Sequence, residues 1–195
     1  MAATQQVHIA PTDDEARVTA TMTMAFSNDP VTRWVLPGAD RYLTFWPRFV
    51  HAFAGGAFAN GTVDATEDLG GVALWLAPGV SGDGEAMAAI SAEAVPEEDQ
   101  EEVFGFLGQM DEFHPKEPHW YLPLIGVDVT KHGRGYGSAL LRHASKRCDD
   151  QGLPAYLEAT SARSRALYAR HGFEEIGTIQ AGSSPPMWPM LRTPA

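Results

Sequence analysis

The chain has 195 residues, 44% hydrophobic and 20% charged, a length that fits one well-packed α/β domain and is short for two. Its 25 acidic side chains against 14 Lys and Arg give a formal net charge of −11, a surface that repels nucleic-acid phosphates and favours cationic small molecules. No apolar run of about 18 residues suggests a membrane span, residues 1–12 lack the pattern of a secretory signal, and a lone Cys148 fits a cytoplasmic protein.

Residues 6–9 read as a short first strand. Over 13–26, Ala16, Ala20 and Met24 recur at helical spacing, with Thr12 or Asp13 as cap, and the Asp29-Pro30 pair breaks the pattern. Over 41–53, Tyr42, Phe45, Trp46, Phe49, Val50 and Phe53 recur at intervals of three and four and predict a helix with a broad aromatic face. That face is first a packing surface, and one or two of its rings are candidates to line a substrate cavity. Residues 61–67 and 70–76 alternate with period two and predict a hairpin turning at Asp68 and Leu69. After a loop at 78–84, helices are predicted over 85–94 and 97–112. The stretch 93–102 carries much of the acidic excess and reads first as a solvated helical face. Pro115 and Pro118 then force a turn or an extended approach to an apolar strand over 121–129.

The remainder alternates: helix 135–151, strand 155–159, helix 163–171, strand 173–179, and a last strand at 188–191 after a rigid turn at 182–186. Strands and a hairpin followed by this βαβαβ tail predict a mixed α/β sheet, α+β in its order of elements, in one domain.

The strand at 121–129 runs into a tight turn with Gly133, Gly135 and Gly137 at alternate positions, and a helix opens directly from it. Glycine permits positive φ and close approach of the backbone to a ligand. The first amides of the helix have no internal acceptor, and with the helix dipole they form an anion site suited to a pyrophosphate. A plain strand-to-helix turn is the simpler alternative. A dinucleotide-binding loop is a third reading, disfavoured because such a loop follows an early strand.

This stretch resembles the pyrophosphate loop of the GNAT N-acetyltransferases: Arg or Gln, two residues, Gly, one residue, then Gly or Ala. Gly135 and Gly137 match, while His132 stands where Arg or Gln is usual. In the family that position contributes mostly its backbone amide. Downstream, Leu167, Tyr168, Gly172 and Phe173 resemble the family's Leu-Tyr, three residues, Gly-Phe signature. The two motifs come in the family's order, with a strand between them. Residues 115–118, 120–127 and 137–140, and Leu157-Glu158 followed by Tyr168, are further similar to the puromycin N-acetyltransferase group.

The resemblance implies a GNAT fold over 1–195, a central, mostly antiparallel twisted sheet flanked by helices. Residues 1–118 would shape the acceptor site and 119–195 would hold acetyl-CoA and the catalytic groups. The implied activity is acetyl transfer from acetyl-CoA, the co-substrate, to a primary amine. His132, Gly133, Arg134, Gly135, Tyr136, Gly137 and Ser138 would hold the pyrophosphate, with Arg134 as a cationic contact. The backbones of Val127 and Val129 would pair with the pantetheine like an added strand. Ser164 stands where many relatives place an asparagine that touches coenzyme A, while Ser161 beside it reads equally well as a helix cap.

Tyr168 matches the family tyrosine that protonates the departing thiol. Glu158 is the first candidate for general base, since a comparable Leu-Glu position serves so in some relatives; a pairing with Arg163 or backbone is the structural alternative. His119, with a reference pKa of ~6.5, is the second candidate, and ordered water the third. The acidic balance and the resemblance point to a small-molecule amine in a closed aromatic pocket near Trp46 and Trp120. A protein or peptide N-acetyltransferase and a non-catalytic acyl-CoA sensor are the alternatives. The seven scattered histidines and single cysteine show no ligand spacing, so no metal is expected. Neither nucleic acid nor membrane is an expected partner, and the chain is expected to act as a monomer or homodimer.

Overall fold

In the computed structural model, which describes residues 5–195, β1 (Val7–Ile9) enters α1 (Glu15–Ala25) through a 3-10 turn. Residues 1–4, part of the segment read above for a secretory signal, lie outside the described residues. The Asp29-Pro30 pair starts a helix as well as ending one. Pro30 occupies the first position of α2 (Pro30–Val35), where its missing N–H is not needed, and Asp29 Oδ1 caps it by accepting from Thr32 N at 2.9 Å. The aromatic helix α3 (Ala39–Ala59) runs beyond its predicted end through Gly55 and Gly56, because Ala54, Ala57 and Phe58 stay buried. Packing there outweighs a glycine penalty of roughly 1 kcal/mol each.

The hairpin forms as β2 (Val63–Thr66) and β3 (Gly71–Leu76), followed by α4 (Gly84–Ala94), α5 (Glu97–Phe113) and β4 (Trp120–Val127). Then come α6 (Tyr136–Gln151), β5 (Ala155–Ala159), α7 (Ala162–Ala169), β6 (Glu174–Glu175) and β7 (Trp188–Arg192). The strands make one seven-stranded sheet in the order β1-β2-β3-β4-β5-β7-β6. Every neighbouring pair is antiparallel except β4 and β5. This is the mixed, mostly antiparallel sheet flanked by helices that the sequence predicts.

Helices cover both faces. Along β3, Val72, Leu74 and Leu76 enter one core with Met22, Trp46 and Val50, while Ala73 and Trp75 enter the other with Leu140, Leu141 and Tyr168. No helix among the described residues is long and apolar enough to cross a membrane.

Two local departures position the site. Opposite β3 the register slips by one residue: Leu74 pairs with Leu124 but Leu76 pairs with Tyr121. This bulge sends Trp120 and Leu122 into the α6 core while Tyr121 and Leu124 turn toward α3. On the other edge, the parallel ladder of β4 with β5 ends at Leu122 and Leu157. The next residue, Pro123, has no N–H to extend it, and the strands part.

Two predicted strands are shorter than expected. The strand over 121–129 stops at Val127 because Asp128 Oδ1 accepts from Thr130 N at 2.8 Å and starts a 3-10 turn over Val129–Lys131. Of the strand over 173–179, only Glu174–Glu175 and a bridge from Ile179 to Met187 form. Between them Gly177 passes so close to the Phe113 ring that no side chain fits, drawing the backbone onto α5 and out of the ladder.

Candidate active site

Where β4 and β5 part, a cleft of about 450 Å³ opens, bordered also by the first turn of α6 and by α7. The glycine turn builds one end. Gly133 and Gly135 have φ of 76° and 85°, a left-handed region that a side chain disfavours. The first helical bond runs from Ala139 N to Gly135 O, so the amides of Tyr136, Gly137 and Ser138 stand without helical acceptors beside the cleft. A Cβ on Gly137 would lie 3.0 Å from Leu167, a squeeze that glycine avoids where α6 approaches α7.

This loop is tethered to the β2–β3 hairpin. Asp68 Oδ2 accepts from Lys131 Nζ and from Tyr136 Oη, both at 2.8 Å, while Oδ1 accepts from Gly70 N at 2.9 Å and Thr66 Oγ1 at 3.0 Å. Burial pushes the Asp68 carboxyl up, but the Lys131 ammonium and these other donors hold it well below the usual carboxylate range.

His132 uses its ring as well as its backbone position. A carbonyl only accepts and a guanidinium only donates, so the imidazole donates from Nε2 to Val127 O at 3.0 Å and accepts at Nδ1 from Arg163 Nη1 at 3.0 Å. Arg163 therefore meets His132 rather than Glu158, and it joins the glycine loop to α7. The Val127 carbonyl, assigned above to a bound pantetheine, carries the His132 ring in this structure. Val129 lies in the 3-10 turn and Arg134 is exposed; neither borders the cleft. Ser164 does border it, but within a capping box with Ser161: Ser161 Oγ accepts from Ser164 N and Ser164 Oγ accepts from Ser161 N, both at 3.2 Å. Ser138 also faces the cleft, with its Oγ 3.1 Å from His171 Nε2.

Glu158, Tyr168, Asp29 and Thr160 gather in the middle of the cleft. Glu158 Oε2 accepts from Tyr121 Oη at 3.0 Å, while Oε1 is buried and has no partner among the described residues. The adjacent Tyr156 hydroxyl is likewise buried without a well-aligned partner. Burial raises the Glu158 carboxyl to about 7, against the opposing effect of the nearby Tyr121 and Tyr156 hydroxyls. The Tyr168 hydroxyl is pushed well above the ordinary phenol range by burial first and then by the charges of Asp29 and Glu158. Asp29 is raised by burial, in part offset by the Thr160 hydroxyl that donates to its Oδ2 and by the Thr32 amide.

His119 falls outside this group. Its Nδ1 donates to Glu117 O at 2.7 Å, and its Nε2 then accepts from His114 Nε2 at 3.1 Å. Its ring meets the Tyr156 ring edge-on, and it borders neither cavity.

Beyond Glu158 lies a second space, an apolar chamber of about 100 Å³ walled by α2, α3 and α5. Phe26, Pro123, Glu158 and Thr160 border both spaces. Trp46 is on the chamber wall, as the aromatic stripe of α3 suggested. Trp120 is on the opposite face of the sheet, its ring 4.5 Å from the Arg147 guanidinium carbon and its Nε1 donating to Gln151 at 2.9 Å. The bulge in β4 separates the two tryptophans.

Asp29, Thr160, Tyr121 and Lys131 are site residues that sequence reasoning did not single out. Asp29 alone had a local signal, an acidic N-cap directly before a proline. No cluster of three or more His, Cys, Asp or Glu suited to a metal occurs among the described residues.

Residues 53–173 match the Acetyltransferase (GNAT) family. An uncharacterized N-acetyltransferase of Schizosaccharomyces pombe is 25% identical over 93% of this chain and 80% of its own length. A solved structure from Corynebacterium glutamicum, described as histone acetyltransferase HPA2 and related acetyltransferase, superposes with a TM-score of 0.73. It is 28% identical, over 99% of this chain and 98% of that one. Arylalkylamine N-acetyltransferase 2 of Aedes aegypti shares the fold, with a TM-score of 0.69, 13% identity, and 98% and 99% of the two chains covered.

Proposed function

The chain belongs to the GNAT acetyltransferase family, and we propose that it transfers an acetyl group from acetyl-CoA to the primary amine of a small molecule. The observation that carries this reading is the place of Glu158, among the described residues the one ionisable side chain bordering both the cleft and the apolar chamber. A donor in the cleft and an acceptor in the chamber would meet at this carboxylate.

The residues present fit acetyl-CoA. The amides of Tyr136, Gly137 and Ser138 would hold its pyrophosphate, and the absence of a side chain at Gly137 keeps the gap between α6 and α7 open. The His132 ring must leave the Val127 carbonyl before a pantetheine amide can pair there. Bound there, acetyl-CoA supplies an acyl group activated as a thioester. Glu158, poised near neutrality, takes a proton from the acceptor ammonium so that its nitrogen can form the new C–N bond. Asp29 adds negative charge beside the same position. Tyr168, held fully protonated, gives its proton to the sulfur as the C–S bond breaks, and the second proton that the nitrogen sheds on becoming an amide leaves to solvent, from which Tyr168 regains its own.

A polypeptide acceptor is the second reading, favoured by the Corynebacterium glutamicum relative described as a histone acetyltransferase. The chamber walls of α3 and α5 weigh toward a small acceptor. Calorimetric titration with acetyl-CoA, followed by assay of thiol release over a panel of amines, tests the proposal. Saturable binding with turnover of small amines is the expected result. Binding without turnover on any amine would favour an acyl-CoA sensor, and absence of binding would reduce the glycine loop to a structural turn.

A further inference from the structure

We infer that the acceptor is a monocationic amine with a compact apolar body, which fills the chamber while its nitrogen meets Glu158. The inference rests on the acetyl-transfer reading above and concerns what the chamber selects. Its wall includes Val35, Trp46, Phe49, Phe53, Phe106 and Met110, and among the described residues the one charged group that borders it is Glu158 at the junction with the cleft. A second cation carried on the acceptor would enter this apolar wall without a counter-charge, and burying an unpaired charge costs several kcal/mol. Diamines, polyamines and guanidine-bearing amines are disfavoured on that ground. An aliphatic or aromatic body instead gains the burial of its apolar surface.

Size sets the second limit. The chamber holds about 100 Å³, whereas an apolar cavity of ~150 Å³ in another protein accepts benzene. A chain of a few carbons fits this space, one ring fits only with part of it reaching into the adjoining cleft, and a folded polypeptide segment does not.

The test has two arms. Thiol release from acetyl-CoA is measured with hexylamine and 2-phenylethylamine against putrescine, agmatine and a lysine-containing peptide. In parallel, the protein saturated with coenzyme A is titrated calorimetrically with the same amines. The apolar monoamines should show kcat/KM at least ~10-fold above the others, a difference of about 1.4 kcal/mol in transition-state binding. Leu107→Trp, which fills the chamber from its half-exposed wall, should weaken hexylamine binding by at least ~10-fold and leave acetyl-CoA affinity unchanged. Met110→Trp tests the same wall independently. Preference for putrescine, agmatine or the peptide would overturn the inference while leaving acetyl transfer intact. If no amine is acetylated, the calorimetric arm still decides: hexylamine binding that the tryptophan variants abolish supports the chamber assignment while acetyl transfer fails. Absence of that binding overturns it.

Discussion

Glu158 and Tyr168 face one cleft from successive elements, β5 and α7, and burial raises the proton affinity of both. The consequences are opposite. A carboxylate raised to about 7 can accept a proton or release it near neutral pH. A phenol raised further above its ordinary value stays protonated at neutral pH, which leaves it the proton donor of the two. Groups whose environments set their proton affinities apart divide naturally into a base and an acid. Asp29 strengthens the division, because its charge is a further cause of the rise at Tyr168.

Tyr168→Phe should bind acetyl-CoA as the parent does and transfer acetyl groups about 10²-fold more slowly, the scale of losing a general acid. The ring is buried beside Phe173, with centroids 6.2 Å apart, so phenylalanine preserves the packing. Calorimetry for the donor and steady-state thiol release separate the two effects. Unchanged turnover would remove Tyr168 from the chemistry.

The rate of the parent protein should climb with pH through about 7 as Glu158 loses its proton. Glu158→Gln should abolish that limb and slow transfer by about 10²–10⁴-fold, read from kcat/KM between pH 5.5 and 9. A retained limb would move the base to Asp29 or to a water.

The same carboxyl makes a stability prediction of definite sign. Its folded-state pKa, about 7, lies above the ordinary 4.5, so the folded protein holds this proton more tightly than the unfolded chain. The associated stability is present at low pH and is lost as pH rises from about 4.5 to about 7. Glu158→Gln carries no such charge, so relative to the parent it should gain roughly 2–3 kcal/mol between pH 5 and pH 8. Denaturant titrations at the two pH values read this directly. An equal difference at both would mean that the carboxyl is better solvated than its surroundings suggest.

The parts of the site legible in the sequence are those whose physics is local. Gly133 and Gly135 announce a left-handed turn opening a helix, and Tyr168 stands at a fixed distance from Gly172 and Phe173 within one motif. The partners of these residues come from tertiary structure. Whether Tyr121 or Trp120 faces the acceptor side depends on one extra residue in β4, and strand alternation cannot foresee where a bulge falls. Arg163 reads as a natural partner for Glu158 in sequence, yet α7 carries it to His132. His119 attracted interest through its reference pKa alone, and its hydrogen bonds to Glu117 and His114 turn it away from the cleft. The overlong strand was avoidable in principle: an Asp two residues before a Thr is the signature of the turn that Asp128 makes with Thr130.

The hairpin tether offers a sharper test of the glycine loop than any substitution within it. Asp68→Asn can retain the Oδ1 acceptor that fixes Gly70 N while replacing the charged Oδ2 that takes both Lys131 and Tyr136. Solvent-exposed ion pairs contribute about 0.2–1 kcal/mol each, and with the Tyr136 hydrogen bond also weakened the loop loses part of its anchorage while the hairpin keeps its turn. A loop that must be ordered on binding weakens affinity rather than chemistry, because Glu158 and Tyr168 lie on other elements. Acetyl-CoA should bind about 10-fold more weakly, with kcat at saturating donor changed by less than about 2-fold. Calorimetric Kd beside steady-state kinetics separates these outcomes. Tighter binding would mean that Asp68 restrains Lys131 from the donor's phosphates, reversing the role given to the tether.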